Sequence, residues 1–191
     1  MILSRFQLRA RPFRTTPDTQ SYYPATPHES VLQHLVQAID DEEAFALLTG
    51  DPGCGKTLIA HLLLTRLSEA TSVLLTNCRF ACRADMLRAV LYDLGQPHQG
   101  LGEQELRLAL TDYLLTQLAA EKRTILVFDE AQGLTSDLLE ELRLLTNLET
   151  ARGKAAQIIL IGQPALSETL ERPELAALGQ RLPVRPYSAR Q

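Results

Sequence analysis

The sequence predicts an α/β domain built on a parallel sheet, and three observations support this fold class. Short apolar runs of strand length alternate along the chain with longer segments whose apolar residues recur at helical spacing. Hydrophobic residues make up 45% of the chain and aromatic residues only 5%, so aliphatic side chains must supply most of the core. A glycine-rich loop stands between the first apolar run and a helical segment. Strands alternating with helices imply crossover connections, with helices on both faces of the sheet.

Each element follows from the same patterns. Residues 1–29 contain four prolines and little periodicity, so we expect an extended N-terminal arm there and the domain proper at 30–191. Strands are predicted at 45–49, 73–76, 124–128 and 157–161, with a short last strand near 182–185. Helices are predicted at 31–39, 57–69, 85–94, 103–121 and 136–149.

Length and composition exclude several classes of protein. A chain of 191 residues is the size of one domain, and its apolar runs are far shorter than the ~20 residues that span a bilayer. The net charge is −4, whereas a dedicated nucleic-acid binder usually carries an excess of basic residues. Three cysteines without a CxxC pair predict reduced thiols and no zinc site, so the expected location is the cytoplasm.

The loop after the first strand carries the most specific motif, G-x-x-x-x-G-K-[ST]. Its glycines allow backbone conformations in which consecutive N–H groups turn toward a phosphate chain, at the positive end of a helix dipole. Lys56 can reach the β- and γ-phosphates of ATP, and the Thr57 hydroxyl can bind Mg²⁺. The nucleotide-binding segment is predicted to comprise Gly50, Asp51, Pro52, Gly53, Cys54, Gly55, Lys56, Thr57 and Leu58.

Two acids follow the apolar strand at 124–128, where ligands bind in open α/β sheets. Asp129 is expected to hold magnesium and Glu130 to orient the attacking water, so ATP hydrolysis is favoured over phosphoryl transfer to another acceptor. Gln163 follows the next strand and is a candidate for contact with the γ-phosphate or this water. An ordinary loop-start glutamine before Pro164 is the alternative.

The chain has no acidic residue after Glu174 but contains Arg181, Arg185 and Arg190. One of them is a candidate arginine finger, which stabilises the charge that develops on the transferred phosphoryl group and is often supplied by a neighbouring molecule. Arg181 is the first choice because it precedes the predicted last strand. A solvated arginine near the end of the sequence is the alternative.

Together these segments resemble the ExeA (general secretion pathway protein A) group of AAA+ ATPases. Besides the two nucleotide motifs, the resemblance rests on the PFRTTPD arm at 12–18, DEAQ at 129–132, LEELRLLTNLE at 139–149, IGQP at 161–164 and QRL at 180–182. It implies a five-stranded parallel sheet in the order 5-1-4-3-2, with ATP between protomers of a ring. Arg181 then falls at the finger position and Gln163 at the sensor-1 position, and an arm containing Tyr22, Tyr23 and His28 would lie near the adenine.

The resemblance also implies functions and partners. Related proteins power assembly of the cell envelope, including secretins of type II secretion or pilus systems, so self-association and envelope proteins are the expected partners. Similar ATPase domains regulate DNA transposition, so an ATP-gated DNA-binding regulator is the alternative. AAA+ proteins follow the last strand with a helical lid, and this sequence, which ends at Gln191, is expected to lack it.

Overall fold

The computed structural model describes residues 22, 24, 26–67, 70–180 and 184–186, the last three by their backbone. Five parallel strands form one sheet: β1 (Phe45–Thr49), β2 (Thr71–Leu75), β3 (Thr124–Phe128), β4 (Gln157–Gly162) and β5 (Val184–Pro186). Seven helices accompany it within the described residues: α1 (Thr26–Asp40), α2 (Lys56–Arg66), α3 (Arg83–Asp93), α4 (Glu103–Ala119), α5 (Ser136–Leu145), α6 (Pro164–Leu170) and α7 (Ala176–Gly179).

The strand order across the sheet is β2-β3-β4-β1-β5. Read from the other edge, this is the order that the family resemblance implies. Strands β1 to β4 have five or six residues each, whereas β5 pairs with β1 over only three residues, Leu47↔Val184 to Thr49↔Pro186. Four strands therefore form the body of the sheet, and the fifth is described only over these three residues at its edge.

Two hydrophobic cores lie on opposite faces of the sheet, because successive strand residues point to opposite sides. On one face Leu47, Leu126 and Leu160 pack in the core that includes α3, α4 and α5. On the other face Leu48 and Val127 pack in the core formed with α1 and α2. Strands β1, β3 and β4 are consequently buried along their whole length, which explains their uninterrupted apolar runs.

The first helix begins earlier than the sequence pattern predicts. Residues 26–29, expected in the extended arm, form the first turn of α1. A proline at position 27 does not prevent this, because the N–H groups of a helix's first turn have no intrahelical acceptor to lose. Of the rest of that arm, Tyr22 and Pro24 are described, and they adopt no regular secondary structure.

Helix α5 ends at Leu145, although a helix was predicted through residue 149. The hydroxyl of Thr146 donates 2.8 Å to the carbonyl of Arg143, and the chain then forms a small antiparallel hairpin, Glu149–Thr150 with Gly153–Lys154. Gly153 adopts φ +114°, in the region that favours glycine. Asn147, inside the predicted helix at 136–149, therefore lies outside the observed one.

One ion pair joins α4 and α5 inside this layer. Nε of Arg107 donates 2.8 Å to Oε1 of Glu141, and Nη2 of the same guanidinium donates to Oε2. The Glu141 side chain is fully buried, and that of Arg107 is 31% exposed. A buried carboxylate without its partner costs far more than an exposed one, so this pair fixes how the two helices meet.

We expect Arg107→Ala to lower the free energy of unfolding by about 3 kcal/mol, because it strands a buried carboxylate. Arg88→Ala is the matched control. The Arg88 pair with Asp85 has side chains 40% and 42% exposed, so its removal should cost less than about 0.5 kcal/mol. Urea denaturation followed by circular dichroism measures both, and equal losses would contradict the role given to Glu141.

Candidate functional site

The loop between β1 and α2 has a backbone that needs glycine at two positions. Gly53 and Gly55 adopt φ +81° and +87°, where side chains are strained. The N–H of Gly50 donates 3.1 Å to the carbonyl of Gly162 and so ties the start of the loop to the end of β4. The motif residues thus lie as predicted, in a tight turn that leads into the N-terminus of a helix.

Lys56 occupies the interior of this loop. It is only 6% exposed, and its Nζ donates to the backbone carbonyls of Gly50 at 2.9 Å and Asp51 at 3.0 Å. None of the ion pairs between described residues includes Lys56. A buried ammonium held by neutral oxygens is an uncompensated positive centre, and it favours an anionic ligand.

The loop and the end of β3 meet at a hydroxyl and a carboxylate. Thr57 Oγ1 donates 2.6 Å to Oδ2 of Asp129, a residue 72 positions away in the sequence. Asp129 is 2% exposed, and its Oδ1 accepts the N–H of Glu130 at 2.9 Å. The two residues predicted to bind the metal are therefore in direct contact.

These oxygen ligands fit magnesium. Across the described part of the chain, no cluster of three or more His, Cys, Asp or Glu side chains could hold a metal by itself. Mg²⁺ is commonly held by one or two protein oxygens together with water and substrate phosphates. Thr57 and Asp129 would be those protein ligands, and the remaining positions would belong to the nucleotide and water.

A buried thiol supports the same strand end. Cys78 Sγ donates 2.9 Å to the carbonyl of Asp129. Burial, followed by the charges of Asp129 and Glu130, raises the pKa of Cys78 to about 12. The thiol therefore stays protonated at neutral pH and remains a donor. Sequence reasoning gave Cys78 no role, because only the fold places it beside Asp129.

Glu130 and Gln163 are joined by a third residue that the sequence did not single out. Nε2 of Gln132 donates to Oε2 of Glu130, and Oε1 of Gln132 accepts the backbone N–H of Gln163 at 3.0 Å. Gln163 is half-buried at the start of α6, beyond the end of β4. The ends of β3 and β4 are thus connected through one amide, and DEAQ was the only sequence signal for it.

The first turn of α1 lies against the phosphate loop. Nε2 of His28 is 3.1 Å from the carbonyl oxygen of Cys54, and a Cβ on Gly55 would lie 3.1 Å from the same nitrogen. Beside it, hydrogen bonds from Arg66 and then Tyr22 lower the pKa of Glu29. This places the described part of the predicted adenine-side arm next to the loop. Tyr23 lies outside the described residues.

The remaining predicted residues divide into two groups. Asp51 and Pro52 are exposed on the loop, and Leu58 is half-buried in the first turn of α2. Arg181, the candidate finger, lies outside the described residues, so its distance from the loop stays a prediction. No helix in the described part of the chain is long and apolar enough to cross a membrane.

The glycine-rich loop around Lys56, the Thr57 and Asp129 contact and the parallel sheet define an α/β P-loop nucleotide-binding domain. A family model described as an AAA domain matches residues 39–170. The chain therefore belongs to the AAA domain family.

Comparison with curated proteins gives a relative in sequence. The chain is 38% identical over 181 residues to General secretion pathway protein A of Aeromonas hydrophila. The match covers 94% of this chain and 33% of that protein, so the chain spans about a third of the relative's length. The family resemblance inferred from the motifs is confirmed.

Solved structures confirm the fold. Cdc6p from Pyrobaculum aerophilum is 20% identical with a TM-score of 0.66, covering 87% of this chain and 47% of that one. The ADP form of the Aeropyrum pernix ORC2 protein is 15% identical with a TM-score of 0.68, covering 90% and 51%. At these identities the likeness concerns the fold alone.

The three cysteines should differ strongly in reactivity. We expect iodoacetamide at pH 8 to modify exposed Cys82 first and half-buried Cys54 more slowly. Cys78 should react only in urea, because it is buried and its pKa is about 12. Peptide mass spectrometry over time measures this order. Alkylation of Cys78 as fast as that of Cys82 in the folded protein would show that the contact with Asp129 is absent.

Proposed function

We propose that this domain binds ATP with magnesium and hydrolyses it. The observation that carries the proposal is the buried ammonium of Lys56, held inside the loop by neutral carbonyls. A triphosphate supplies the negative charge that this centre lacks, and the loop's N–H groups and the N-terminus of α2 add to the attraction. Membership of the AAA domain family supports the same nucleotide chemistry.

Each of the site residues has a separate role in the proposed hydrolysis. Thr57 and Asp129 hold magnesium, which offsets phosphate charge and polarises the γ-phosphoryl group when bound. Lys56 binds the β- and γ-phosphates. Glu130 accepts a hydrogen bond from the attacking water and orients it, and Gln163 contacts the γ-phosphate or that water. Orientation of the water and stabilisation of the phosphoryl charge supply most of the rate enhancement in this class of reaction.

Two substitutions separate binding from hydrolysis. We expect Glu130→Gln to bind ATP normally but to lower kcat by roughly 10²- to 10⁴-fold, because a neutral amide cannot polarise the water as the carboxylate does. Lys56→Ala should lose ATP binding itself. Exposed Lys122, which lines a separate cavity with Arg152, provides the control Lys122→Ala, and neither property should change.

Phosphate release and titration with a fluorescent ATP analogue measure the two properties. Turnover that is unchanged in Glu130→Gln would contradict its role. A wild-type protein that neither binds nor hydrolyses ATP would contradict the proposed function as a whole.

We further propose that Arg181 acts as an arginine finger on the nucleotide of a neighbouring copy. This proposal rests on the family resemblance and on the position of Arg181 before β5. A finger supplied in trans makes the active site incomplete in a single chain, so hydrolysis should depend on self-association.

If Arg181 acts on the nucleotide of a neighbouring copy, specific activity should rise with protein concentration. Arg181→Ala should remove this rise and lower the maximal activity by ~10³-fold. Arg190→Ala is the matched control in the same basic segment, and it should behave as wild type. Activity measured from nanomolar to high micromolar protein tests this. A wild-type activity per molecule that stays constant over the whole range would count against a finger in trans.

We propose that the nucleotide cycle serves assembly of secretion or pilus machinery in the cell envelope. The identity of 38% to General secretion pathway protein A supports this over the DNA-binding alternative. Structural neighbours that are named for complexes with DNA share only the fold at their low identity. DNA affinity that requires ATP and falls steeply with salt would reverse this preference.

A further inference from the structure

The side-chain amide of Gln132 connects the end of β3 to the end of β4. It lies in a single 3₁₀ turn, Ala131–Gly133, which is closed by a 3.0 Å hydrogen bond from the N–H of Gly133 to the carbonyl of Glu130. Its two polar atoms have separate partners, the carboxylate of Glu130 and the backbone N–H of Gln163.

Chemistry fixes which way this amide points. A backbone N–H can only donate, so the atom of Gln132 that meets Gln163 must be its carbonyl oxygen. The NH₂ group is then directed at Glu130, whose ionised carboxylate can only accept. Each end of the amide is therefore specified by its partner, and reversing it would break both hydrogen bonds.

Gly162 makes room for this bridge. A Cβ at that position would lie 2.8 Å from Oε1 of Gln132 and 2.9 Å from Cδ2 of Leu166, closer than real Cβ contacts. The amide therefore sits directly on the backbone at the end of β4. A shift of the backbone at Gln163 would therefore either carry the amide with it or break the 3.0 Å hydrogen bond between them.

The backbone of Glu130 has an uncommon conformation that the surrounding structure must hold in place. It adopts φ +56°, in the left-handed region that non-glycine residues seldom occupy. Glu42 and Glu121 share this conformation, but each follows a helix, where a left-handed residue is an ordinary terminator. Glu130 follows a strand. Strained residues of this kind persist where the surrounding structure holds them, which is characteristic of functional sites.

We propose that Gln132 is a positioning residue that holds the carboxylate of Glu130 and couples it to the strand end carrying Gln163. The proposal rests on the hydrolytic function proposed for Glu130. The amide engages one carboxylate oxygen, Oε2, and fixes the rotation of the group, so that its other oxygen can accept the water. A shift at the Gln163 end on binding the γ-phosphate is passed to Glu130 through this one side chain.

Gln132→Met tests the proposal, because methionine has nearly the same length but offers neither donor nor acceptor of comparable strength. We expect kcat for ATP to fall roughly 10- to 100-fold while KM and the ATP Kd stay within about twofold. In the nucleotide-free protein, the N–H of Gln163 should exchange with solvent about tenfold faster, because it has lost its acceptor.

A matched control removes a similar bond elsewhere. Nε2 of Gln37 donates 2.7 Å to Oδ1 of Asp41 at the exposed end of α1. Gln37→Met should leave kcat, KM and the exchange rate of Gln163 unchanged. Gly162→Ala provides an independent route, since its Cβ would displace the amide and should lower kcat without replacing Gln132.

A double variant decides whether Gln132 acts through Glu130. In a Glu130→Gln background, Gln132→Met should not reduce the residual single-turnover hydrolysis of labelled ATP any further. An equal reduction in both backgrounds, an unchanged kcat, or a loss of ATP affinity that matches the loss of kcat would each overturn the proposal. A wild-type protein that hydrolyses no ATP would overturn the proposed function, and this role with it.

Discussion

The parallel pairing of β4 between β1 and β3 determines where the candidate site residues lie. Phe45 of β1 is level with Ile158, and Ile125 of β3 is level with Gln157, so the three strands end close to one line across the sheet. The phosphate loop follows β1, Asp129 and Glu130 follow β3, and Gln163 follows β4, so all of them lie at the same edge of the sheet. Because both faces are buried, a slip of one residue would exchange the two cores, and the register is strongly fixed.

This burial also explains how much of the fold the sequence could predict. The observed bounds of β1 and β3 equal the predicted 45–49 and 124–128, because strands buried on both faces are uninterrupted apolar runs. The ends of the helices were predicted less accurately. Leu148 continues the helical spacing of α5, yet the chain turns after Leu145 into a hairpin that depends on the conformation of Gly153. Local periodicity does not carry that information.

The site shows the same division between local and long-range information. The loop motif predicted the position of Lys56 and Thr57 between a strand and a helix, and their roles toward phosphate and magnesium stay predictions. It did not predict their observed partners, the carbonyl of Gly50 and the carboxylate of Asp129. Gln132 and Cys78 were missed, because their partners come together only when β2, β3 and β4 are assembled. A glutamine or a cysteine acquires such a role from polar groups within about 3 Å, and the sequence does not give those neighbours.

Charge balance explains why the nucleotide should arrive with a cation. At the sheet edge, Asp129 and Glu130 carry two negative charges. The pKa of the Cys78 thiol is raised mainly by burial and further by these two charges. Lys56 supplies one positive charge from inside the loop. Asp129 is buried and Glu130 is exposed, so the charge of Asp129 is the one that salt screens least, and it would oppose a free triphosphate. A divalent ion held by Asp129 and Thr57 would offset this negative charge, so the carboxylate that opposes a free triphosphate would favour its magnesium complex.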